Sequence, residues 1–223
     1  KQKTAYEIRL SLVGSEMCIR DRSKKAISKF EYAQHVSASL AYLMLQQMDA
    51  VGLITLDTKV RALIPPRASP KHLLQVLTTL EKTEPGGETA MAPLLHELAG
   101  HHLKRRGLVF ILSDFFDKLE DLTKALQHLR HRNHEVVLLH LLAPEELDFP
   151  YKRLTQFRNL EAHDNKLLVD TRRMREDYLR NFEKFRHDLK EQAGKLRVDY
   201  HLLKTDEPVD RALGIYLSRR QRA

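Results

Sequence analysis

The stretch Leu108-Val109-Phe110-Ile111-Leu112-Ser113-Asp114 decides the fold, because its five consecutive apolar residues leave no polar side to face water. Opened by Gly107 and closed by a hydroxyl and a carboxylate, it predicts a strand covered on both faces, as in a parallel sheet between two layers of helices. Residues 136–142 read the same way. Between the two runs, residues 118–132 carry Leu119, Leu122, Leu126 and Leu129 at helical spacing, so strand, helix and strand alternate.

Upstream, Phe30, Ala33, Val36, Leu40 and Leu43 recur at near-helical spacing as far as Met48, with Ser28 in place as a cap. Residues 51–56 and 59–64 read as two short strands joined at Asp57-Thr58, a hairpin that Pro65-Pro66 should end. Ser69-Pro70 starts the next helix, Leu73, Leu74, Leu77 and Leu80 give its apolar face, and Pro85-Gly86-Gly87 ends it. Another helix runs from Thr89 towards His102. Downstream, short strands around Phe157 and Leu167 lead to Asp170. That residue is placed to cap a long helix carrying Met174, Tyr178, Phe182, Phe185 and Leu189 on one face. A last strand over 198–203 and a last helix over 208–217 complete the chain. The pattern is α/β: a doubly wound, mostly parallel sheet with helices on both faces, of Rossmann-type topology.

The 223 residues suit one domain of this kind. No apolar run approaches the roughly 20 residues that would span a bilayer. The lone Cys18 has no partner for an internal disulfide, which points to a reducing compartment and so to the cytoplasm. A formal charge of +8 raises nucleic-acid binding as one reading. However, the basic residues form short runs such as Lys104-Arg105-Arg106 and Arg130-His131-Arg132. These fall at expected helix ends, where the helix dipole favours cations, so the expectation is no nucleic-acid partner.

Residues 1–22 differ in character from the rest of the chain. Residues 11–22, Ser-Leu-Val-Gly-Ser-Glu-Met-Cys-Ile-Arg-Asp-Arg, resemble a translated adapter-type sequence that recurs at the ends of metagenomic reading frames. The expected division is therefore 1–22 as a non-native segment and 23–223 as the domain, lacking its first strand and upstream region. The alternation of Tyr6, Ile8, Leu10 and Leu12 with polar residues still has the period of a strand.

In open α/β sheets ligands bind beyond the carboxyl ends of the strands, where strand order reverses. Ser113 and Asp114 lie at such an end, and Thr89 comes after a Gly-Gly loop and before a helix. Their oxygens suit a hard ion such as Mg²⁺, and they equally suit helix capping. His96-Glu97 followed by His101-His102 suggests a zinc peptidase, but the spacing fails: the position four residues after His96 is Gly100. Gly86-Gly87 lacks the Lys-Ser/Thr of a phosphate loop, and no second acid or base accompanies Asp114. A metal-dependent hydrolase and a basic nucleic-acid-binding domain are the alternatives to a non-enzymatic reading.

From about residue 30 to residue 220 the chain resembles the bacterial family called domain of unknown function fifty-eight, a von Willebrand factor A-like group often encoded beside MoxR-type AAA+ ATPases. The resemblance is carried by Lys29-Phe30-Glu31-Tyr32-Ala33, Asp49-Ala50-Val51-Gly52-Leu53, Pro65-Pro66-Arg67 and Glu84-Pro85-Gly86-Gly87-Glu88-Thr89. Further on it rests on Arg106-Gly107-Leu108-Val109, Ile111-Leu112-Ser113-Asp114, His134-Glu135-Val136-Val137, Val198-Asp199-Tyr200 and Thr205-Asp206-Glu207-Pro208. It implies a von Willebrand factor A-like fold and a metal-ion-dependent adhesion site in which Thr89 and Asp114, beside Ser113, take the second and third loop positions. The first-loop Asp-x-Ser-x-Ser pattern is absent, so the site is expected to be incomplete. Mg²⁺ would then belong to intact relatives, with no tightly bound cofactor here. The implied function is a non-catalytic protein-interaction module, working with a MoxR-type ATPase in assembly or maturation of other proteins.

Overall fold

The structure is a computed structural model that describes residues 7–13, 27–84, 91–150, 154–158 and 166–220. Along the chain these form β1 (Glu7–Val13), α1 (Lys29–Gln46), β2 (Ala50–Leu56), β3 (Val60–Arg67), α2 (Pro70–Lys82), α3 (Met91–Glu97) continued by a π-helical turn (Leu98–His102), and β4 (Gly107–Ser113). Then come α4 (Leu119–His131), β5 (Glu135–Leu142), α5 (Pro144–Asp148), β6 (Leu154–Arg158), β7 (Lys166–Asp170), α6 (Thr171–Lys195), β8 (Asp199–Lys204) and α7 (Val209–Arg220). Six strands make one sheet in the order β3-β2-β1-β4-β5-β8, parallel except for β3 against β2, while β6 and β7 pair separately as an antiparallel ribbon.

The two-faced apolar runs do what their composition requires. Leu108, Phe110 and Leu112 of β4, with Val137, Leu139 and Leu141 of β5, pack under α1, α2 and α7. The alternate residues Val109 and Ile111, with Val136 and Leu138, pack under α3, α4 and α6. One strand thus feeds two cores, and burying each large side chain contributes about 1.5–3 kcal/mol. The expected fold class is the observed one.

Three local details differ from the expectation. Pro65 and Pro66 lie inside β3 rather than ending it, which an edge strand tolerates because one row of its backbone groups has no sheet partner. The register between β2 and β3 slips between Val51 and Leu53, and there Gly52 lies so near β3 that an added Cβ would sit 2.8 Å from the Ile64 carbonyl oxygen. Lastly, Glu7–Val13 forms a strand of the main sheet. Set apart with the foreign-looking segment, this stretch takes the central place between β2 and β4, with Leu10 opposite Leu53 on one side and Phe110 on the other. No described helix is long and apolar enough to cross a membrane.

Candidate functional site

Strand order reverses between β1 and β4, so the crevice beyond their carboxyl ends is where the fold can hold a ligand. β4 ends there at Ser113. The Ser113 hydroxyl accepts the Phe115 N–H at 3.0 Å and closes a tight turn, in which Phe115 is held in the left-handed region at φ 55°. A bulky side chain in that region costs roughly 1–3 kcal/mol, which surrounding contacts must offset. The turn gives two consecutive rings different exposure. Phe115 is buried edge-on against His140, whereas Phe116 is 41% exposed and stacks on Phe185, with Phe182 beside it. Helix α4 starts from Lys118 without any side-chain cap, so Ser113 and Asp114 do not serve as its caps.

Asp114 faces a cation from the same chain. Ser28 and Glu31 exchange hydrogen bonds in a capping box that fixes the start of α1, and the first helical residue, Lys29, turns inward. Its Nζ lies 3.0 Å from Asp114 Oδ2 and 2.9 Å from Glu146 Oε1, with all three side chains buried. The second oxygen of Glu146 accepts the Ala143 N–H at 2.8 Å, which ties the acid to the start of α5. Burial acts to lower the Lys29 pKa, but the charges of Asp114 and Glu146 override it and hold the ammonium above its ordinary range. Burial also pushes the Glu146 carboxyl up, against the downward pull of Lys29. Both directions follow from one buried cation between two buried acids. Asp57, at the end of β2, is satisfied within its own hairpin by Arg61, Thr58 and the Lys59 N–H.

Next to this cluster His140 of β5 is completely buried, its Nδ1 2.7 Å from the Tyr200 hydroxyl. Burial pushes His140 down to about 3, against an upward pull from Asp114, so the ring is neutral at ordinary pH. On the outer side, Leu147, Leu179, Phe182 and Leu202 line a cleft of about 550 Å³, rimmed by Glu183, its ion-pair partner Arg186, and Lys204.

Of the metal ligands implied by resemblance, Thr89 lies outside the described residues, while Ser113 and Asp114 stand side by side at the edge. Among the described residues, their surroundings already hold a cation. The cation at the carboxylates is the Lys29 ammonium, and among the described residues no three His, Cys, Asp or Glu side chains converge. His96 meets His128 of α4, Nδ1 to Nδ1 at 3.2 Å, rather than His101. Reasoning from sequence did not single out Lys29, Glu146 or Phe116. A signal existed for Lys29, which stands just after the first residue of a Ser-x-x-Glu capping box and therefore at a fixed helix start. Glu146, 117 residues from Lys29, offered none.

No curated protein matches the chain. Among solved structures it is similar to an aerotolerance-related membrane protein from Bacteroides fragilis, at 14% identity and a TM-score of 0.63, covering 98% of this chain and all of that one. It is also similar to the conserved hypothetical protein BatB from Bacteroides thetaiotaomicron, at 15% identity and a TM-score of 0.61, with the same coverage. A further likeness is to the VWA domain of SpRpn10, at 10% identity and a TM-score of 0.54, with 94% of each chain covered. At these identities the likeness establishes the fold, a VWA-like Rossmann-type sheet. A family model described as "Protein of unknown function DUF58" matches residues 11–188. The chain belongs to the DUF58 family and has a VWA-like fold.

Proposed function

We propose that the chain is a non-catalytic interaction module that docks a protein partner at the carboxyl edge of its sheet. The observation that carries this reading is Phe116, a large ring held out at 41% exposure by a strained turn and backed by Phe182 and Phe185. Large aromatic side chains that pack into a partner's pocket are common anchors of binding hot spots. The adjoining cleft is walled by Leu147, Leu179, Phe182 and Leu202, with the Arg186–Glu183 ion pair and Lys204 at its rim, and suits a partner segment bearing an apolar side chain.

A non-enzymatic role is supported by the state of the polar groups. Asp114 is engaged by Lys29, and His140 is neutral, buried and hydrogen-bonded to Tyr200, so neither is poised to exchange a proton with a substrate. Absence of a nucleic-acid partner is supported by Arg130, whose guanidinium is committed to the Leu196 and His134 carbonyls. By family resemblance the partner is a MoxR-type AAA+ ATPase, the pair acting in the cytoplasm in assembly or maturation of other proteins.

The test is calorimetric titration of a MoxR-type ATPase from the same organism with wild-type chain, Phe116→Ala and Leu74→Ala, the last on an exposed face of α2. Phe116→Ala should weaken binding by about tenfold or more, with Leu74→Ala unchanged. Equal affinity for wild type and Phe116→Ala would refute docking at this edge.

A further inference from the structure

An ammonium group and a divalent ion seek the same surroundings, namely carboxylate oxygens with their charge uncompensated. At the carboxyl edge of this sheet the two buried acids come from separate elements, Asp114 after β4 and Glu146 in α5, and the cation between them comes from a third, α1. The Lys29 Nζ donates to one oxygen of each acid and lies 5.9 Å from the centre of the Phe116 ring, within cation–π range. Its stem is the first residue of a helix whose start is fixed by the Ser28–Glu31 box, so the ammonium is presented by a rigid element. A second cation entering beside it would meet carboxylate oxygens already engaged by the lysine and the repulsion of the resident charge.

We propose that the Lys29 ammonium is the resident cation of this edge, standing where a divalent ion would otherwise bind, and that removing its charge uncovers a divalent-cation site on Asp114 and Glu146. The inference rests on the docking reading only for its consequence, that partner binding here needs no divalent ion. The lysine supplies the charge compensation permanently, and the Phe116 turn is set without metal.

The experiment uses the full chain and Mn²⁺ as probe, because its free form is read directly by electron paramagnetic resonance. Lys29→Gln keeps a polar side chain and removes the charge. It should bind one Mn²⁺ at least about tenfold more tightly than wild type, since two carboxylates with water can hold such an ion. Saturation should raise its melting temperature by about 2–4 °C. Adding Asp114→Asn to Lys29→Gln should abolish both effects. A folded Lys29→Gln chain with no more affinity than wild type would overturn the proposal. Should that variant fail to fold, wild-type amide spectra in about 1 mM Mn²⁺ decide the matter. Unbroadened signals at Asp114, Phe115 and Glu146 support a site already filled by lysine, and broadening confined to them overturns it. No partner protein enters these measurements, so their failure is distinct from failure of docking at Phe116.

Discussion

Acid should weaken this protein through His140 before its carboxylates begin to titrate. The ring is wholly buried on β5, packed edge-on against Phe115, Phe185 and Tyr200. Burial takes its pKa from 6.5 in the open chain to about 3 in the fold. Between those values the unfolded state binds one proton more than the folded state, so stability rises with pH there. The contribution is present above 6.5 and is lost as pH falls towards the folded value. Lowering pH from about 8 to about 5, still above the range where most carboxyls take up protons, should remove ~2 kcal/mol, at ~1.36 kcal/mol per pH unit once titration is under way. For a chain of this size that lowers the melting temperature by about 4–8 °C. The assay is urea unfolding at a series of pH values for wild type and His140→Gln, so that the remaining histidines cancel in the difference. The variant should start less stable and lose ~2 kcal/mol less than wild type across the window. Parallel losses in the two proteins would refute the reasoning, because His140 would then take up its proton without unfolding.

Gly52→Ala should cost about 1–3 kcal/mol in urea unfolding, because its Cβ would meet the Ile64 carbonyl at 2.8 Å and Pro66 at 3.0 Å, forcing β2 and β3 apart. Ser28→Ala removes the acceptor of the Glu31 N–H and should cost about 1 kcal/mol by thermal melting, with Ser28→Asp restoring most of it. Arg130→Ala removes the guanidinium that holds the Leu196 and His134 carbonyls. It should cost roughly 1.5–3 kcal/mol and speed amide exchange at the end of α6, while Lys124→Ala, whose partner Asp121 is exposed, should shift stability by less than about 0.5 kcal/mol.

The layers were legible in the sequence because burial on two faces and burial on one face leave different patterns. β4 shows an unbroken apolar run, β5 one interrupted only by His140, and α4 shows leucines on a helical period, so their roles follow from composition and spacing. The face expected for α2, by contrast, is misplaced: Leu74 and Leu77 are exposed, and His72, Val76 and Leu80 are the buried residues. Glu7–Val13 has polar residues at alternate positions, unlike its neighbour β4, and nothing in its period marks it as central. The edge was found from topology, since Asp114 directly follows a core strand. What fills it was not, because the Lys29–Glu146 contact joins residues 117 apart, a separation at which side-chain pairing leaves no local trace. Which of Phe115 and Phe116 faces outward depends on a left-handed turn that neither residue favours, so no propensity announces it.

Docking at the carboxyl edge of the sheet is tested most directly by hydrogen–deuterium exchange of the chain with and without the proposed partner, a MoxR-type ATPase. Slowed exchange is expected at Asp114 to Asp117 and along α5, with β3 and the exposed face of α2 unchanged. Slowed exchange confined to β3 and α2, with the Phe116 turn exchanging as in the free chain, would contradict it.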